Sequence, residues 1–428
     1  MGDRHRVVIL GGGFGGLGAA LRLGRAPVEV TLIDRCNYHL FQPLLYQVAT
    51  GSLSPANISS PLRNILKRQK NTRVLLAEAT GVDVANRRVI LSDGAVEYDT
   101  LIVATGSSHQ YFGHQEWAAY APGLKTVEDA TDMRRRILLA FETAERETDA
   151  EKLRALMTFV IVGGGPTGVE LAGALAEIAN DTLRRDFRNI DPSQARIILV
   201  EGGERILPAY PPVLSAAARK MVERLGVTVR TGAMVTDIDK HSVTVHEGGG
   251  SAIIPTRTVL WAAGVLASPL GTVVAKETGA PLDNSGRVIV ESGLTVPGHP
   301  EIFVIGDLAN FSHQGGKALP GVAQPAIQEG DYVARAIIRR LSGEKVGPFH
   351  YVDKGNLAVI GRGAAVADLN SMRLAGFPAW LIWVFIHLMY IVEFQNRLLI
   401  FVQWAWFYFN YDRSARLITG KNPLPLDL

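Results

Sequence analysis

The sequence predicts an α/β protein in which one strand–glycine turn–helix unit occurs twice and an aromatic tail follows. The first copy has an apolar strand at residues 6–10, a glycine-rich turn at 11–16 and a helix at 17–24. The second copy begins near residue 159 and places its turn at 163–168. Because such a turn brings backbone N–H groups to a helix N-terminus, each copy predicts a Rossmann-like dinucleotide-binding domain.

The composition indicates a multidomain globular protein. The chain has 428 residues, of which 47% are hydrophobic and 20% charged, so disorder is not expected. The net charge of +3 is too small to indicate nucleic-acid binding. The one cysteine, Cys36, excludes an intrachain disulfide or dithiol centre and favours a reducing compartment. We recognise no secretory signal and no metal-ligand cluster.

The first turn fits the GxGxxG pattern of dinucleotide sites. Its glycines permit a tight turn and let backbone N–H groups approach a pyrophosphate. The next strand ends at Asp34, 23 residues after Gly11, where an acid can bind ribose hydroxyls. The alternative is a glycine-rich turn that binds no ligand.

The second turn repeats the pattern, and its acid is Glu201. This acid comes later than usual because residues 180–194 intervene. A carboxylate there repels the 2′-phosphate of NADPH and so favours NADH. Arg205 lies nearby in the sequence and would soften that preference. The alternative is a degenerate repeat that no longer binds a nucleotide.

Two more strands run into short motifs: residues 100–103 lead into Ala-Thr-Gly, and residues 302–305 lead into Gly-Asp. With the glycine-rich turns, these motifs resemble the flavoproteins that have two dinucleotide-binding domains. The resemblance extends from residue 6 to about residue 340. It implies that FAD binds the first turn together with Asp34 and Asp307, and that the nicotinamide nucleotide binds the second turn.

The number and position of cysteines limit the classes of electron acceptor that this chain could use. Disulfide reductases of this superfamily need a pair such as CxxxxC, and sulfide:quinone oxidoreductases need paired cysteines too; this chain has neither. Single-cysteine peroxidases and coenzyme A disulfide reductases place their cysteine in an SFxxC context. Cys36 instead follows Asp34 by two residues, and we interpret it as an inert residue beside the adenosine site.

Two further stretches, 38–51 and 321–330, bear on the identity of the electron acceptor. With them, nearly the whole chain resembles the type II NADH dehydrogenases, single-subunit NADH:quinone oxidoreductases. The family's AQxAxQ quinone-site motif matches Ala323, Gln324, Ala326 and Gln328. The resemblance implies that the partner is a membrane quinone, either ubiquinone or menaquinone.

Three residues are candidates for catalysis. Gln324 and Gln328 are four residues apart, so they share a helix face and their amides could bind quinone carbonyls. The alternative is ordinary polar capping at a helix start. Glu170, in the first turn of the second helix, has two possible roles. It either complements the helix dipole or, as the resemblance implies, lies near nicotinamide and flavin and takes part in binding or in proton handling.

The resemblance and the motifs together give two sets of cofactor residues. The predicted FAD residues are Gly11, Gly13, Phe14, Gly15, Gly16, Asp34, Arg35, Pro43, Leu44, Ala104, Thr105, Gly106, Gly306, Asp307, Ala323 and Gln324. The predicted NADH residues are Gly163, Gly165, Pro166, Thr167, Gly168, Glu170, Glu201 and Gly264.

The tail contains 17 residues without formal charge at 376–392 and a shorter apolar run at 398–409. As a helix the first would measure about 26 Å, slightly short of a bilayer core. We favour monotopic insertion of two aromatic-rich helices, through residues 376–411, over a spanning helix, a buried core helix or a dimer interface. The nearby basic residues would meet anionic headgroups; they are Arg413, Arg416 and Lys421.

We expect a discontinuous FAD-binding domain at 1–120 and 271–345, an inserted NADH-binding domain at 121–270 and a membrane-anchoring region at 346–428. The predicted function is NADH:quinone oxidoreduction without proton pumping, by a peripheral membrane protein on the cytoplasmic face if the source is bacterial. A homodimer is compatible with this. The alternatives are a soluble acceptor such as oxygen, peroxide or ferredoxin, and an NADH-sensing flavoprotein resembling apoptosis-inducing factor.

Overall fold

The computed structural model describes residues 4–410, 413 and 415–420. These residues divide into two compact units. Unit 1 comprises Met1–Leu40, Ser59–Ser108 and Val265–Asp353. Unit 2 comprises Phe41–Ile58, His109–Gly264 and Lys354–Leu428. The domain boundaries expected near residues 120, 270 and 345 stay a prediction.

The described helices are α1 (Phe14–Leu23), α2 (Leu45–Ala49), α3 (Pro55–Ile58), α4 (Leu62–Leu66), α5 (Val127–Ala144), α6 (Ala150–Leu156), α7 (Pro166–Glu177), α8 (Pro212–Arg224), α9 (Leu270–Thr278), α10 (Ala323–Leu341), α11 (Phe377–Tyr390) and α12 (Phe394–Asn410). Short 3₁₀ turns lie at Gln42–Leu44, Gln115–Ala119, Pro192–Gln194 and Gly306–Leu308, and a π-helical turn at Ile178–Thr182 extends α7.

The described strands are β1 (His5–Leu10), β2 (Val28–Asp34), β3 (Tyr38–Leu40), β4 (Ser59–Pro61), β5 (Thr72–Leu76), β6 (Ala79–Asp83), β7 (Arg88–Leu91), β8 (Gly94–Glu97), β9 (Thr100–Val103), β10 (Ser107–His109), β11 (Thr158–Val162), β12 (Arg196–Glu201), β13 (Val227–Thr231), β14 (Ala233–Ile238), β15 (Ser242–Glu247), β16 (Gly250–Pro255), β17 (Thr258–Trp261), β18 (Val265–Ala267), β19 (Val288–Ile289), β20 (Thr295–Val296), β21 (His299–Val304), β22 (Ala309–Asn310), β23 (Asn356–Gly361), β24 (Ala364–Asp368) and β25 (Arg373–Gly376).

Unit 1 is built on a six-stranded sheet in the order β20-β21-β9-β1-β2-β5, parallel except for β20. Leu10 pairs with both Ile33 and Val103, and Val103 also pairs with Val304. The carboxyl ends of these strands therefore meet at one edge, where parallel sheets bind nucleotides. A three-stranded antiparallel sheet, β6-β7-β8, is added to this unit.

Unit 2 contains a four-stranded parallel sheet in the order β13-β12-β11-β17. Val162 pairs with Val200 and Trp261, so the second glycine-rich turn leaves the sheet as the first one does. The helix α5 begins with a capping box, because Thr126 and Asp129 bond each other's backbone N–H groups. An antiparallel sheet, β14-β15-β16, is an addition that the sequence analysis did not predict.

The C-terminal part of unit 2 differs from the predicted aromatic tail in two ways. It begins with an antiparallel sheet, β23-β24-β25, which was not predicted. The second tail helix begins at Phe394, earlier than expected, so Arg397 lies inside it and donates from Nε to the Ile391 carbonyl at 2.6 Å. Among the described residues, no helix is both long and apolar enough to cross a bilayer.

Candidate nucleotide and acceptor sites

The first glycine-rich turn requires glycine at both of its ends. Gly11 has φ +99°, and a Cβ there would lie 2.4 Å from the Ala104 carbonyl oxygen. A Cβ on Gly16 would lie 1.9 Å from the Gly11 oxygen. In contrast, a Cβ on Gly13 would meet no described atom within 4 Å. The turn is closely packed below and open above Gly13, which fits the approach of a pyrophosphate to the start of α1.

Asp34 is fixed by the backbone beside this turn. Its Oδ2 accepts the Gly12 N–H at 2.5 Å, and its Oδ1 accepts the Cys36 N–H at 2.7 Å. Arg35 is exposed next to it. His39, which the sequence analysis left out, is buried with Nδ1 2.9 Å from the Gly12 oxygen, and burial lowers the pKa of this imidazole. A neutral His39 therefore supports the turn from behind.

Two carboxyl groups, those of Asp307 and Glu329, lie near the end of β21. The Ser107 hydroxyl donates to Asp307 at 2.7 Å, and a Cβ on Gly321 would lie 3.3 Å from the Asp307 carboxyl carbon. Glu329 accepts the Gly306 N–H at 2.5 Å and is only 2% exposed. Burial raises the pKa of Glu329 to about 7. The sequence analysis included Glu329 in the quinone-motif stretch without giving it a role.

Unit 1 fits an FAD. The open face over Gly13 suits a pyrophosphate, and Asp34 and Asp307 are acceptors of the kind that bind ribose and ribityl hydroxyls. In the Ala-Thr-Gly motif, Gly106 has φ +69°, and Thr105 Oγ1 is buried without a hydrogen-bond partner among the described residues. A bound cofactor would provide that missing partner.

The predicted FAD residues Pro43 and Leu44 lie in a segment that belongs to unit 2. Leu44 is fully buried, so its side chain has no exposed surface for a cofactor. Pro43 is partly exposed.

The second turn has the same geometry in unit 2. Gly163 has φ +108°, and a Cβ there would lie 2.7 Å from the backbone of Ala262. A Cβ on Gly168 would lie 1.8 Å from the Gly163 oxygen, whereas one on Gly165 would meet no described atom within 4 Å. Pro166 starts α7, where its missing N–H costs no helix hydrogen bond. This turn therefore offers a second pyrophosphate site.

Glu201 is positioned as Asp34 is. Its Oε2 accepts the Gly164 N–H at 2.6 Å, and its Oε1 accepts the Gly203 N–H at 2.6 Å. Arg205 donates instead to the backbone carbonyls of Tyr210 and Pro208, at 2.9 and 2.8 Å. The guanidinium that was expected to soften the preference for NADH is thus held by the backbone.

Gly264, the last of the predicted NADH residues, has φ +70° at the corner after β17. A Cβ on Gly264 would lie 2.7 Å from the Phe112 ring. Both the backbone angle and the close ring require glycine at this position.

Glu170 lines a pocket within unit 2, which we call the Glu170 pocket; its space amounts to about 620 Å³, partly open to solvent. Its polar residues include Glu170, Glu177, Tyr46 and Gln47, and its aromatic wall includes Trp380, Trp383 and Trp404. The Glu170 carboxylate accepts one long hydrogen bond, from the Val359 N–H at 3.4 Å. Burial raises the pKa of Glu170 to about 8, so at pH 7 the group is mainly a neutral acid that can donate a proton.

A buried ion pair forms the deep wall of this pocket. Arg413 donates to Glu177 at 2.8 Å, and the two side chains are 1% and 8% exposed. Glu177 also accepts the Arg362 N–H at 2.6 Å, and Arg413 donates to the Thr50 carbonyl at 3.2 Å. This pair was not predicted, because its members are 236 residues apart.

The ion pairs also correct the expectation about basic residues and headgroups. Arg413 is paired with Glu177, and Arg416 is paired with Asp186. The Arg413 guanidinium is buried and so cannot meet a lipid headgroup, whereas Arg416 is partly exposed beside Asp186. The remaining predicted cation, Lys421, and residue 411 of the predicted membrane segment lie outside the described residues.

The two predicted quinone-site glutamines lie in unit 1, at the start of α10. Gln328 donates from Nε2 to the Val352 carbonyl and accepts the Val352 N–H, both at 2.9 Å. Gln324 is partly exposed one turn earlier. No described side chain caps this helix at Val322.

Comparisons with known proteins agree with this geometry. Residues 5–330 match the pyridine nucleotide-disulphide oxidoreductase family, and residues 354–410 match the NDH2 C-terminal domain. Two relatives from Mycobacterium tuberculosis, the type II NADH:quinone oxidoreductases Ndh and NdhA, are 44% and 46% identical; each match covers 98% of this chain and 91% of the relative.

Among solved structures, NDH2 from Plasmodium falciparum in complex with NADH has the same fold. Its TM-score is 0.88 at 23% identity, over 96% of this chain and 99% of that chain. The resemblance inferred from the motifs is confirmed. The chain belongs to the family of type II NADH:quinone oxidoreductases.

Proposed function

We propose that this protein oxidises NADH and reduces a quinone at a membrane surface, with FAD as its cofactor and without pumping protons. The observation that carries the proposal is the pair of glycine-rich turns, one in each unit. Each turn is open above its third glycine and has an acid fixed by backbone N–H groups. One turn serves the cofactor and the other serves NADH.

The residues of unit 1 hold the cofactor. The start of α1 would bind the pyrophosphate, Asp34 the adenosine ribose and Asp307 the ribityl chain. FAD, when bound, supplies the redox chemistry that links a two-electron donor to a quinone. Glu329 and Ser107 orient the Gly306–Asp307 end of this site through the hydrogen bonds already described.

The residues of unit 2 bind and select NADH. The start of α7 would bind its pyrophosphate, and Glu201 its adenosine ribose. Glu170 would handle the proton that accompanies electron transfer, because its raised pKa keeps a proton available near neutral pH. Glu170→Gln should therefore slow one half-reaction by more than about tenfold. Unchanged rates of both half-reactions would leave Glu170 a structural residue.

The two glutamines of α10 have different roles in this proposal. Gln324 contacts a quinone carbonyl, as the family's quinone-site motif implies, and the amide of Gln328 bonds the backbone of Val352. Gln328 fixes the segment around Val352 against the first turns of α10. Gln324→Ala should slow flavin reoxidation by quinone and leave reduction by NADH unchanged.

The membrane surface is proposed to contact α11 and α12. Large apolar side chains of these helices point outward; the most exposed are Phe409 at 77%, Phe394 at 76%, Phe385 at 65% and Trp406 at 61%. Aromatic side chains favour the interfacial zone of a bilayer. A bacterial protein of this kind would lie on the cytoplasmic face, where NADH is available.

A vesicle-flotation experiment tests the membrane contact. Replacing Phe385, Phe394 and Phe409 together with Glu should abolish flotation with anionic phosphatidylglycerol vesicles. Activity with a short-chain quinone should remain. Ile253→Glu is the control, since Ile253 is 69% exposed on β16 of the same unit. If the triple variant still floats but changes from dimer to monomer, the exposed face is a dimer interface instead.

Anaerobic stopped-flow absorbance tests the reaction itself. Adding NADH to the purified flavoprotein should bleach the flavin, and adding a soluble quinone should restore the colour rapidly. Bleaching without recovery would contradict the proposal and indicate a soluble acceptor. A long-lived complex between NADH and flavin, with slow turnover, would indicate the NADH-sensing alternative.

A further inference from the structure

A chain of hydrogen bonds crosses the wall of the Glu170 pocket. Trp404, on α12, donates from Nε1 to Gln47 Oε1 at 2.7 Å. Gln47, on α2, donates from Nε2 to the Tyr46 hydroxyl oxygen at 2.8 Å. Gln47 and Tyr46 are 7% and 6% exposed, so these bonds are shielded from competing water. All three residues line the pocket.

The chemistry of these groups fixes one donor-to-acceptor direction for the hydrogen-bond chain, from Trp404 to Tyr46. An indole N–H can only donate, so Gln47 must turn its carbonyl oxygen to Trp404 and its NH₂ group to Tyr46. The Tyr46 oxygen therefore receives a hydrogen bond, and its own O–H must donate elsewhere. No described residue accepts that O–H within hydrogen-bonding distance, although Glu170 is near enough to act on Tyr46 electrostatically.

The surroundings of Tyr46 keep it a donor. Burial, together with the carboxyl groups of Glu170 and Glu177 on α7, holds the pKa of Tyr46 well above its usual range. Arg413, which faces the same group from beyond α12, opposes this effect. The remaining cation of the pocket, Arg362, follows β23 and donates its backbone N–H to Glu177. The hydroxyl therefore stays protonated over the pH range in which NADH is stable.

The pocket thus offers a hydrogen-bond donor in an aromatic enclosure. A flat, mostly apolar ring that carries a carbonyl oxygen matches both properties. Building on the proposed function, we propose that Tyr46 donates its O–H to a carbonyl oxygen of the quinone, and that Gln47 and Trp404 fix the direction of this bond. Tyr46 keeps its proton; it positions the quinone and stabilises the negative charge that gathers on the oxygen.

The first test removes the hydroxyl with Tyr46→Phe. Isothermal titration calorimetry of the oxidised holoenzyme with menadione, without NADH, should show about tenfold weaker binding. Flavin reoxidation by menadione should slow by a similar factor, and flavin reduction by NADH should not change. Tyr111→Phe is the control, because Tyr111 is also buried in unit 2 and donates its hydroxyl to the Ala121 carbonyl at 2.8 Å.

The second test reverses the direction of the hydrogen-bond chain and keeps the Tyr46 hydroxyl. The ionised carboxylate of Gln47→Glu would accept from both Trp404 and Tyr46 and so turn the Tyr46 O–H away from the pocket. We expect this variant to bind menadione as weakly as Tyr46→Phe at about pH 9. It should recover at about pH 6, because burial raises the pKa of a carboxyl group at this position, as it does for Glu170, and the protonated group can donate again. Because Glu170 of the unmodified protein also titrates near pH 8, menadione binding by the variant is compared with that of the unmodified protein at each pH. A merely structural role of Tyr46 would not produce a recovery relative to the unmodified protein.

Two outcomes separate this inference from the proposed function. If the unmodified protein reduces menadione but Tyr46→Phe binds and reduces it equally well, the Tyr46 inference is wrong and the proposed function stands. If the unmodified protein transfers no electrons to any quinone, the proposed function itself is wrong. If Gln47→Glu binds menadione with the same affinity at every pH, the inferred direction of the hydrogen-bond chain from Trp404 to Tyr46 is wrong.

Discussion

The two glycine-rich turns have the same backbone geometry but different surroundings. The first is enclosed: Phe14 packs edge-on against buried His39, and a Cβ on Gly330 of α10 would lie 2.2 Å from the Gly15 oxygen. In the second turn, Pro166 and Thr167 are both exposed. The enclosed turn suits a cofactor that stays bound, and the open turn suits a substrate that must leave after each reaction. We therefore expect the packing around each dinucleotide turn, rather than the turn itself, to set how long its ligand stays bound.

The largest expected effects come from alanine at the first glycine of each turn. Gly11→Ala and Gly163→Ala both place a Cβ within 2.7 Å of backbone atoms at a positive φ. We expect Gly11→Ala to purify without flavin, whereas Gly163→Ala should keep its yellow colour and lose reduction by NADH. Visible absorbance before and after NADH, and then dithionite, measures both effects.

Gly18→Ala is the matched control for the glycine substitutions, because its Cβ would meet only the Ile327 oxygen at 3.8 Å. It should bind flavin and react normally. If Gly163→Ala also lost its flavin, the two turns would not be separate sites, and the contrast between a resident cofactor and an exchanging substrate would fail.

A smaller effect is expected from the two acids. Glu201→Gln removes the charge that repels a 2′-phosphate, so the ratio of kcat/KM for NADH over NADPH should fall about tenfold. Asp34→Asn should weaken flavin retention and leave that ratio unchanged. Arg205→Ala should change neither, because its guanidinium is held by two backbone carbonyls. A shift in nucleotide preference in Asp34→Asn would mean that the assignment of the two turns is reversed.

The smallest effect concerns the stability of unit 1 and the buried Glu329 beside Gly306. Burial raises the pKa of Glu329 from 4.5 to about 7, so the folded state binds this proton more tightly than the unfolded chain does. That contribution to stability is present below about pH 4.5 and is lost as the pH rises to about 7. Glu329→Gln keeps an acceptor for the Gly306 N–H and should be more stable than the parent protein at pH 8, by up to ~3 kcal/mol.

Denaturant unfolding of the holoprotein at pH 5 and pH 8, followed by flavin fluorescence, measures this difference. Glu78→Gln, which alters an exposed acid of the same unit, should change stability little at either pH. If Glu329→Gln is less stable than the parent protein at pH 8, the ionised carboxylate is needed to hold the Gly306 end of the flavin site.

The sequence predicted the parts of the fold whose signals are local. The strands ending at Leu10 and Val162, the turns after them and the acids at Asp34 and Glu201 follow from residue spacing within a few dozen positions. Both turns and both acids lie where the motif requires them, because tight turns and close backbone approach depend on glycine itself.

Contacts between distant segments could not be predicted. Nothing near Glu177 indicates that it pairs with Arg413, and nothing near Gln47 indicates Trp404, 357 residues away. The sheet of β23, β24 and β25 was missed because its strands are short and the aromatic signal of the tail dominates the region. Arg413 and Arg416 were assigned to headgroups because sequence shows a charge and not its partner.

The pairing of Arg413 with Glu177 has a practical consequence for anyone who shortens the chain to obtain a more tractable enzyme. Arg413, Ala415 and Arg416 bond to Thr50, Gly51 and Asp186, so these three residues tie the end of the described chain to the rest of unit 2. Removing Arg413 would leave the buried carboxylate of Glu177 without its ion-pair partner in the wall of the Glu170 pocket. The rates measured on a protein truncated for solubility would then be those of an altered pocket. Proteolytic cleavage near Arg413 would likewise lower the measured turnover, even where membrane binding is intact.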